Sequence, residues 1–305
     1  MTSGILIVSS RRWRASVLLA TASLATGLLA SVPTQVHAQL IRSAAGIGAS
    51  AVQGAFDQFR IDLGGGTTAG PGGSFGGIRR EINWDALPFG FSAPNNMPAN
   101  FFNMNSQRGV VLSTPGAGFQ VSGALADVGT GQPAAANFGN IDATYSSVFS
   151  PFSAQRLFTP ISSNVTDVSF FLAGTNTAGL TRGFGSIFSD VDLANISSIQ
   201  LFGAGNVSLG SFFVPNFAQA TAAHFSFLGV SYATPTISRV RITTGNAALS
   251  SGTTDQAGGP NDLVVMDDFV FGEVAAVQVV PEPATLGLLA VGMIAVGAFA
   301  RKRKV

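Results

Sequence analysis

The residues best equipped for chemistry are aspartates in two tight groups, Asp190 and Asp192 in SDVD, and Asp262, Asp267 and Asp268 in NDLVVMDD. Carboxylate oxygens are hard donors, and about six to eight of them suit Ca2+. Side chains alternate across a strand. On strands, then, Asp190 and Asp192 share a face, whereas Asp267 and Asp268 point apart and only one of them can meet a given ion. The plainer reading is a set of solvated aspartates at turns and strand edges. Ca2+ is the cation these groups could take; nothing in the sequence requires a cofactor.

A second cluster, RREINWDALP, holds Arg79, Arg80, Glu81, Asp85 and Trp84. Glu81 and Asp85 form a candidate acid–base pair for a glycosidase, which needs carboxyls about 5 Å apart or roughly 6.5–9.5 Å apart, depending on mechanism. The structural alternative is an Arg–carboxylate cluster that pins a loop, with Trp84 as its apolar plug. Trp84 is also the residue of this cluster that could stack on a sugar ring. The chain has 25 Phe against two Trp and two Tyr. Sugar platforms favour amphipathic Trp and Tyr, while Phe is core material, which weakens a lectin reading. Phe170, Phe171, Phe212, Phe213, Phe225 and Phe227 sit in strand-like runs and are expected in the core.

Other chemistries are excluded by what is missing. The chain has no Cys and two His, His37 and His224. Thiol nucleophiles, thiolate zinc sites and iron–sulfur clusters are ruled out, and so is a multi-histidine metal centre. His224 opens a strand-like run and is expected at a surface or strand edge. GGGTTAGPGG lacks the Lys-Ser/Thr of a phosphate loop, and the Asn-x-Ser/Thr patterns at Asn164, Asn195 and Asn206 are read as chance.

The elements that must position these groups are mostly strands. Val52, Phe56, Phe59 and Leu63 recur at i, i+4, i+7 and i+11, so Ala49 to Gly66 reads as one amphipathic helix that stops at Gly64. From Gly109 onward come short β-branched and aromatic runs: GVVLST, RLFTPI, VTDVSFFLAG, SSIQLFG, VSLGSFFVP, HFSFLGVSYA, ISRVRITTG and DLVVMDDFVFGEV. Gly, Pro, Asn and Ser separate them. Alternation of Arg239, Val240, Arg241 and Ile242 marks a sheet with one wet face. The expectation is a mainly β, sandwich-like domain over 109–279, with 39–108 forming a helix and Gly-rich loop region packed on it.

Both ends are targeting segments. Arg11, Arg12 and Arg14 precede an apolar run from Ala15 to Val32, and Val36-His37-Ala38 offers a signal peptidase cut between Ala38 and Gln39. That is the secretory pattern, giving a signal peptide over 1–38. At the other end Thr285 to Ala300 is uncharged and apolar and runs into Arg301, Lys302, Arg303 and Lys304. At ~1.5 Å per residue it spans about 24 Å, short of a ~30 Å hydrocarbon core but extended by the snorkelling stems of the basic residues. A transmembrane helix is expected there, with its basic end left in the cytoplasm. Between the ends, Gln39 to Val280 carries nine Arg, no Lys and 14 acidic residues, so 9 − 14 = −5. An acidic exported domain without lysine is a poor nucleic-acid binder.

Pro281-Glu282-Pro283, an adjacent apolar helix and the basic terminus together resemble the PEP-CTERM sorting signal of Gram-negative bacteria, over Val280–Val305. The resemblance implies recognition by an exosortase, a membrane-embedded cysteine transpeptidase-like enzyme, with cleavage near the Pro-Glu-Pro. It also implies a link to exopolysaccharide and the cell surface. RREINWD, ANFFNMNSQRGVVLSTPGAGFQVSG, GFGSIFSDVDL, FSFLGVSY, RVRITTGN and VVMDDFVFGE are similar to stretches of a recurrent type of exported PEP-CTERM protein. The closing Asp-Asp-Phe strand resembles the last strand of jelly-roll carbohydrate-binding modules. In those modules a structural calcium commonly joins a late strand to an early loop, which implies such a role for Asp267 or Asp268. The resulting expectation is a jelly-roll-like sandwich in a non-catalytic surface or matrix protein. Signal peptidase, an exosortase, the inner membrane and exopolysaccharide are its expected partners. The alternatives are a calcium-dependent carbohydrate-binding module and a polysaccharide-active hydrolase.

Overall fold

The computed structural model describes residues 38–124, 135–218, 223–255, 259–277 and 292–293. The signal segment before Ala38, the Pro281–Pro283 motif, the apolar stretch after it apart from 292–293, and the basic cluster at 301–304 lie outside the described residues. Among the described residues no helix is long and apolar enough to cross a membrane.

The chain begins with β1 (Gln39–Ile47), α1 (Ser50–Leu63), β2 (Ser74–Phe75) and β3 (Arg79–Ile82). Next come α2 (Phe101–Met104), β4 (Val110–Ser113), β5 (Gly118–Val121) and α3 (Tyr145–Val148). The middle strands are β6 (Phe158–Ile161), β7 (Val165–Phe170), β8 (Gly179–Leu180), β9 (Gly183–Ser189) and β10 (Ser198–Phe202). The last are β11 (Ser208–Phe213), β12 (His224–Tyr232), β13 (Arg239–Thr243), β14 (Val265–Gly272) and β15 (Ala275–Ala276). They build a mainly β, sandwich-like arrangement. The larger sheet runs β1-β12-β9-β14-β3-β2, with β6 pairing β14 and β5 pairing β6. The smaller runs β11-β10-β13-β7-β4.

Between the sheets lies a Phe-rich core. Phe184, Phe188, Leu228, Val230, Phe269 and Phe271 come from the larger sheet; Val168, Phe170, Ile199, Leu201, Val240 and Ile242 come from the smaller. Each of these apolar side chains is worth about 1.5–3 kcal/mol when fully buried. The outer face of the larger sheet is covered as well. On it α1 sets Val52, Phe56, Phe59 and Leu63 against Ile187, Phe225, Phe227 and Val270. With both faces covered, β9, β12 and β14 are buried at every position, which is why their sequences lack the apolar/polar alternation of a half-exposed strand.

The seat of α1 depends on two glycines. Gly185 of β9 and Gly229 of β12 are register partners. A Cβ on Gly229 would stand 2.8 Å from ring carbons of both Phe59 and Phe227, and one on Gly185 would stand 3.0 Å from Phe59. The missing side chains therefore make the hollow that takes the Phe59 ring. The helix ends where expected, with Gly64 at φ 82° and its N–H bonded to the carbonyls of Arg60 and Ile61.

Two expectations change. Residues 39–108 are not a region laid on the sandwich, because β1 pairs with β12 along its whole length and β3 pairs with β14. They supply strands of the larger sheet itself. Phe213 is exposed at the edge strand β11, and Phe171 and Phe212 are only partly buried. In β13, Val240 and Ile242 face the core while Arg239 and Arg241 point outward to Asp167 on the neighbouring β7.

Candidate functional site

The sequence-nominated aspartates fall into two separate clusters. The first is built where β9 ends and β12 begins. Antiparallel pairing sets Phe225 opposite Ser189, so the next residues outward, His224 and Asp190, become neighbours; Asp190 N–H donates to the His224 carbonyl at 3.3 Å. His224 Nε2 lies 3.1 Å from Asp190 Oδ1 and 3.4 Å from Asp192 Oδ1. The three donor atoms lie within 4.8 Å of one another, and all three residues are buried. Asp190 has φ 72°, and that left-handed turn at the strand end brings Asp190 and Asp192 to the same histidine.

Asp262 holds this loop in place. Its carboxylate accepts the N–H of Asp192 at 3.0 Å and of Leu193 at 3.4 Å, and Asn216 donates to the Asp192 carbonyl at 3.1 Å. Burial pushes the Asp190 carboxyl up to about 8, helped by Asp255, Asp192 and Asp262. Burial also pushes Asp262 up to about 6, against the two N–H groups it accepts. His224 is thus not the surface or strand-edge residue expected from sequence. Its burial follows from being the first residue of a strand covered on both faces.

The second cluster is Asp267, Asp268 and Ser153. Between Met266 and Phe269 the pairing of β14 with β9 shifts register, so that two residues face one. Such a bulge cancels the alternation that should send neighbours to opposite sides. Both carboxylates consequently reach one hydroxyl, with Ser153 Oγ at 3.2 Å from Asp267 Oδ1 and 2.8 Å from Asp268 Oδ1. Asp267 Oδ2 also accepts the N–H of Phe152 at 2.6 Å and of Ser153 at 3.3 Å. Complete burial, with Asp268 alongside, drives the Asp267 carboxyl well above the usual range. Burial raises Asp268 as well, against its bonds to Asp267 and Ser153 and the nearby Arg60. Both carboxyls are thus shifted toward the neutral form, Asp267 the further of the two. The four aspartates named for a cation are therefore not one site. Among the described residues, the three-residue gathering of metal-ligating side chains is Asp190–Asp192–His224.

Trp84 does not offer a ring to a sugar. It is 1% exposed, stacks on Phe158 with ring centroids 4.2 Å apart, and donates its indole N–H to the Asp267 carbonyl at 2.8 Å. Tyr145 and Tyr232 are buried too. The reason is position: Trp84 follows β3 into the core between Ile82 and Leu87. Glu81 and Asp85 go to different partners. Glu81 accepts Arg60 at 2.8 Å and Arg79 at 2.8 Å, whereas Asp85 accepts the N–H groups of Gln155 at 2.6 Å and Arg156 at 3.2 Å. A surface cleft of about 540 Å³ lies between α1 and the Gly-rich loop, lined by Asp57, Arg60, Phe75, Arg79 and Glu81 among others. Its two carboxylates are both paired with Arg60.

No curated protein matches the chain. Among solved structures, a glycoside hydrolase family 43 arabinoxylan arabinofuranohydrolase from Bacillus subtilis, in complex with cellotetraose, is similar at 20% identity. The likeness covers 38% of this chain and 21% of that one, with a TM-score of 0.22, and it carries nothing about activity here. The tail gives the firmer result: residues 279–304 match the PEP-CTERM protein-sorting motif, the mark of an exported protein sorted by an exosortase.

Proposed function

We propose that this protein is a cell-surface or extracellular-matrix component with a structural or adhesive role linked to exopolysaccharide, and that it does no catalysis. The observation that carries the reading is the sorting motif at residues 279–304. In this reading the segment before Gln39 is a signal peptide removed by signal peptidase. The apolar stretch before Arg301 then holds the protein in the inner membrane until an exosortase cuts near Pro281-Glu282-Pro283. Two prolines keep that site extended and out of the helix, where its backbone can be reached. The finer fold reading, a jelly-roll-like sandwich, belongs to the same proposal. A chain with 10% charged residues and abundant Gly, Ser, Thr and Asn suits a hydrated neutral matrix. A calcium-dependent carbohydrate-binding module is the less favoured reading, because Trp84, Tyr145 and Tyr232 are all buried.

The experiment is intact mass of the protein recovered from its native cell surface, compared with a strain lacking the exosortase. The expected result is a chain beginning at Gln39 and ending near Pro281, with that end lost in the deletion strain. A tail running through Val305 in both strains would overturn the reading.

A further inference from the structure

We infer that Asp190, Asp192 and His224 form a binding site for a divalent transition-metal cation of the zinc type, which ties the end of β9 to the start of β12. The inference is independent of the proposed matrix role and stands on three observations.

The first is geometry. Tetrahedral Zn2+ holds nitrogen and oxygen donors at about 2.0–2.2 Å, which sets neighbouring donors roughly 3.3–3.5 Å apart. His224 Nε2 stands 3.1 and 3.4 Å from the two carboxylate oxygens. The ligand atoms of the two carboxylates lie within 4.8 Å of each other, so all three donors can close on one cation. Two carboxylates and one imidazole give three protein ligands, the number that leaves a fourth position for water.

The second is an unsatisfied acceptor. Asp192 is 9% exposed, and its buried Oδ1 receives no hydrogen bond. Buried carboxylate oxygens are costly without a donor or a cation, and this one lies beside the other two donors, 3.4 Å from His224 Nε2. The third is charge. Asp262 joins Asp190 and Asp192 here, its carboxylate held on the amides of Asp192 and Leu193, so three carboxyl groups crowd one histidine. A dication supplies the compensation.

The donor set chooses the metal. Ca2+ takes about six to eight oxygens, whereas imidazole suits Zn2+, Cu2+, Fe2+ and Ni2+. The histidine therefore moves the expectation away from calcium. Asp262 is a positioning residue: by holding the Asp192 and Leu193 amides it fixes where the Asp192 carboxylate sits.

The test uses the full-length chain, stripped with a chelator and titrated with Co2+ as a visible probe. The expected result is one Co2+ per chain with the absorption bands of a tetrahedral site, displaced by Zn2+ but not by a hundredfold excess of Ca2+, together with a rise in melting temperature. His224→Gln and Asp192→Asn should each weaken binding by more than the 10–100-fold typical of an outer-layer partner. Asp192→Asn is nearly isosteric, so it carries the test if His224→Gln fails to fold by circular dichroism. Absence of the bands, equal retention by the Asp192→Asn protein, or displacement by Ca2+ would each overturn the inference.

Discussion

Gly229→Ala tests how α1 is seated. A Cβ there meets Phe227 Cζ, Phe59 Cδ2 and Phe59 Cγ, each at 2.8 Å, against an optimum of about 3.5–4.0 Å between carbons. Relief needs a shift of roughly 0.7 Å or more by two rings that are fully buried. Overpacking of a filled core costs typically 1–3 kcal/mol. Because two of the three contacts belong to one ring held by a helix, the upper end applies, about 3 kcal/mol. Phe59→Leu alone removes ring volume and costs on the order of 1–2 kcal/mol. Combined, the two changes relieve each other, because the atoms that clash with the new methyl are gone. The double variant should therefore be more stable than the sum of the singles predicts by about 1–2 kcal/mol. Urea unfolding of the four proteins, followed by near-ultraviolet circular dichroism, gives the coupling. Additivity within about 0.5 kcal/mol would mean that Phe59 does not lie in the Gly185–Gly229 hollow.

The remaining predictions concern the buried polar groups. Asp267 carries a carboxyl raised well above the ordinary value by burial. As pH climbs past about 4 the unfolded chain loses this proton while the folded chain keeps it, so stability falls until the raised value is passed. Asp267→Asn keeps a neutral group that can still accept from Phe152 and donate to Asp268. Its melting temperature should fall less between pH 5 and pH 8.5 than that of the unaltered protein, and equal slopes in thermal melts would refute the assignment. Trp84→Phe removes the indole donor to the Asp267 carbonyl and should cost about 1–3 kcal/mol, read by urea unfolding. Tyr145→Phe loses the hydroxyl that bonds the carbonyls of Ser250 and Thr253 at 2.8 Å each. It should cost about 1–2 kcal/mol, and its first effect should be faster hydrogen exchange at the Ser250 amide, which bonds to that hydroxyl.

Local patterns were legible and long-range pairings were not. The helix could be read because its apolar residues lie on one face, and β13 because its two faces differ in polarity. β1 escaped notice: QLIRSAAGI is an edge strand, exposed at most positions, so no apolar alternation marks it. β9 was hidden for the opposite reason. In GFGSIFS the glycines face a helix that fills their place, and burial on both sides erases the period. Site residues followed the same divide. The sequence put Asp190 and Asp192 together because their nearness is local. It could not bring in His224, which lies 34 residues beyond Asp190 and meets it only through the β9–β12 register. Nor could it show that a bulge turns Asp267 and Asp268 to one side, since a bulge is a property of the pair of strands.

α1 covers the outer face of the larger sheet; among the described residues the outer side of β11-β10-β13-β7-β4 is the more polar sheet face. Ser211, Ser198, Gln200, Thr243, Arg241, Arg239, Asp167 and Ser169 share that side by register, as do Val165 and Phe202, whose ring lies under the Arg239 guanidinium at 3.8 Å, with Phe213 at one rim. A polymer laid on this face would find hydroxyl, amide and guanidinium groups in rows spaced by the ~4.8 Å between strands. Among the described residues the aromatic groups it would meet are the Phe213 ring at the rim and the Phe202 ring beneath Arg239. Any such contact would rest on many weak hydrogen bonds exchanged with water along a strand-spaced lattice. Under the proposed matrix role, grip on such a surface would grow with the length of polymer laid down, whatever the identity of any one unit.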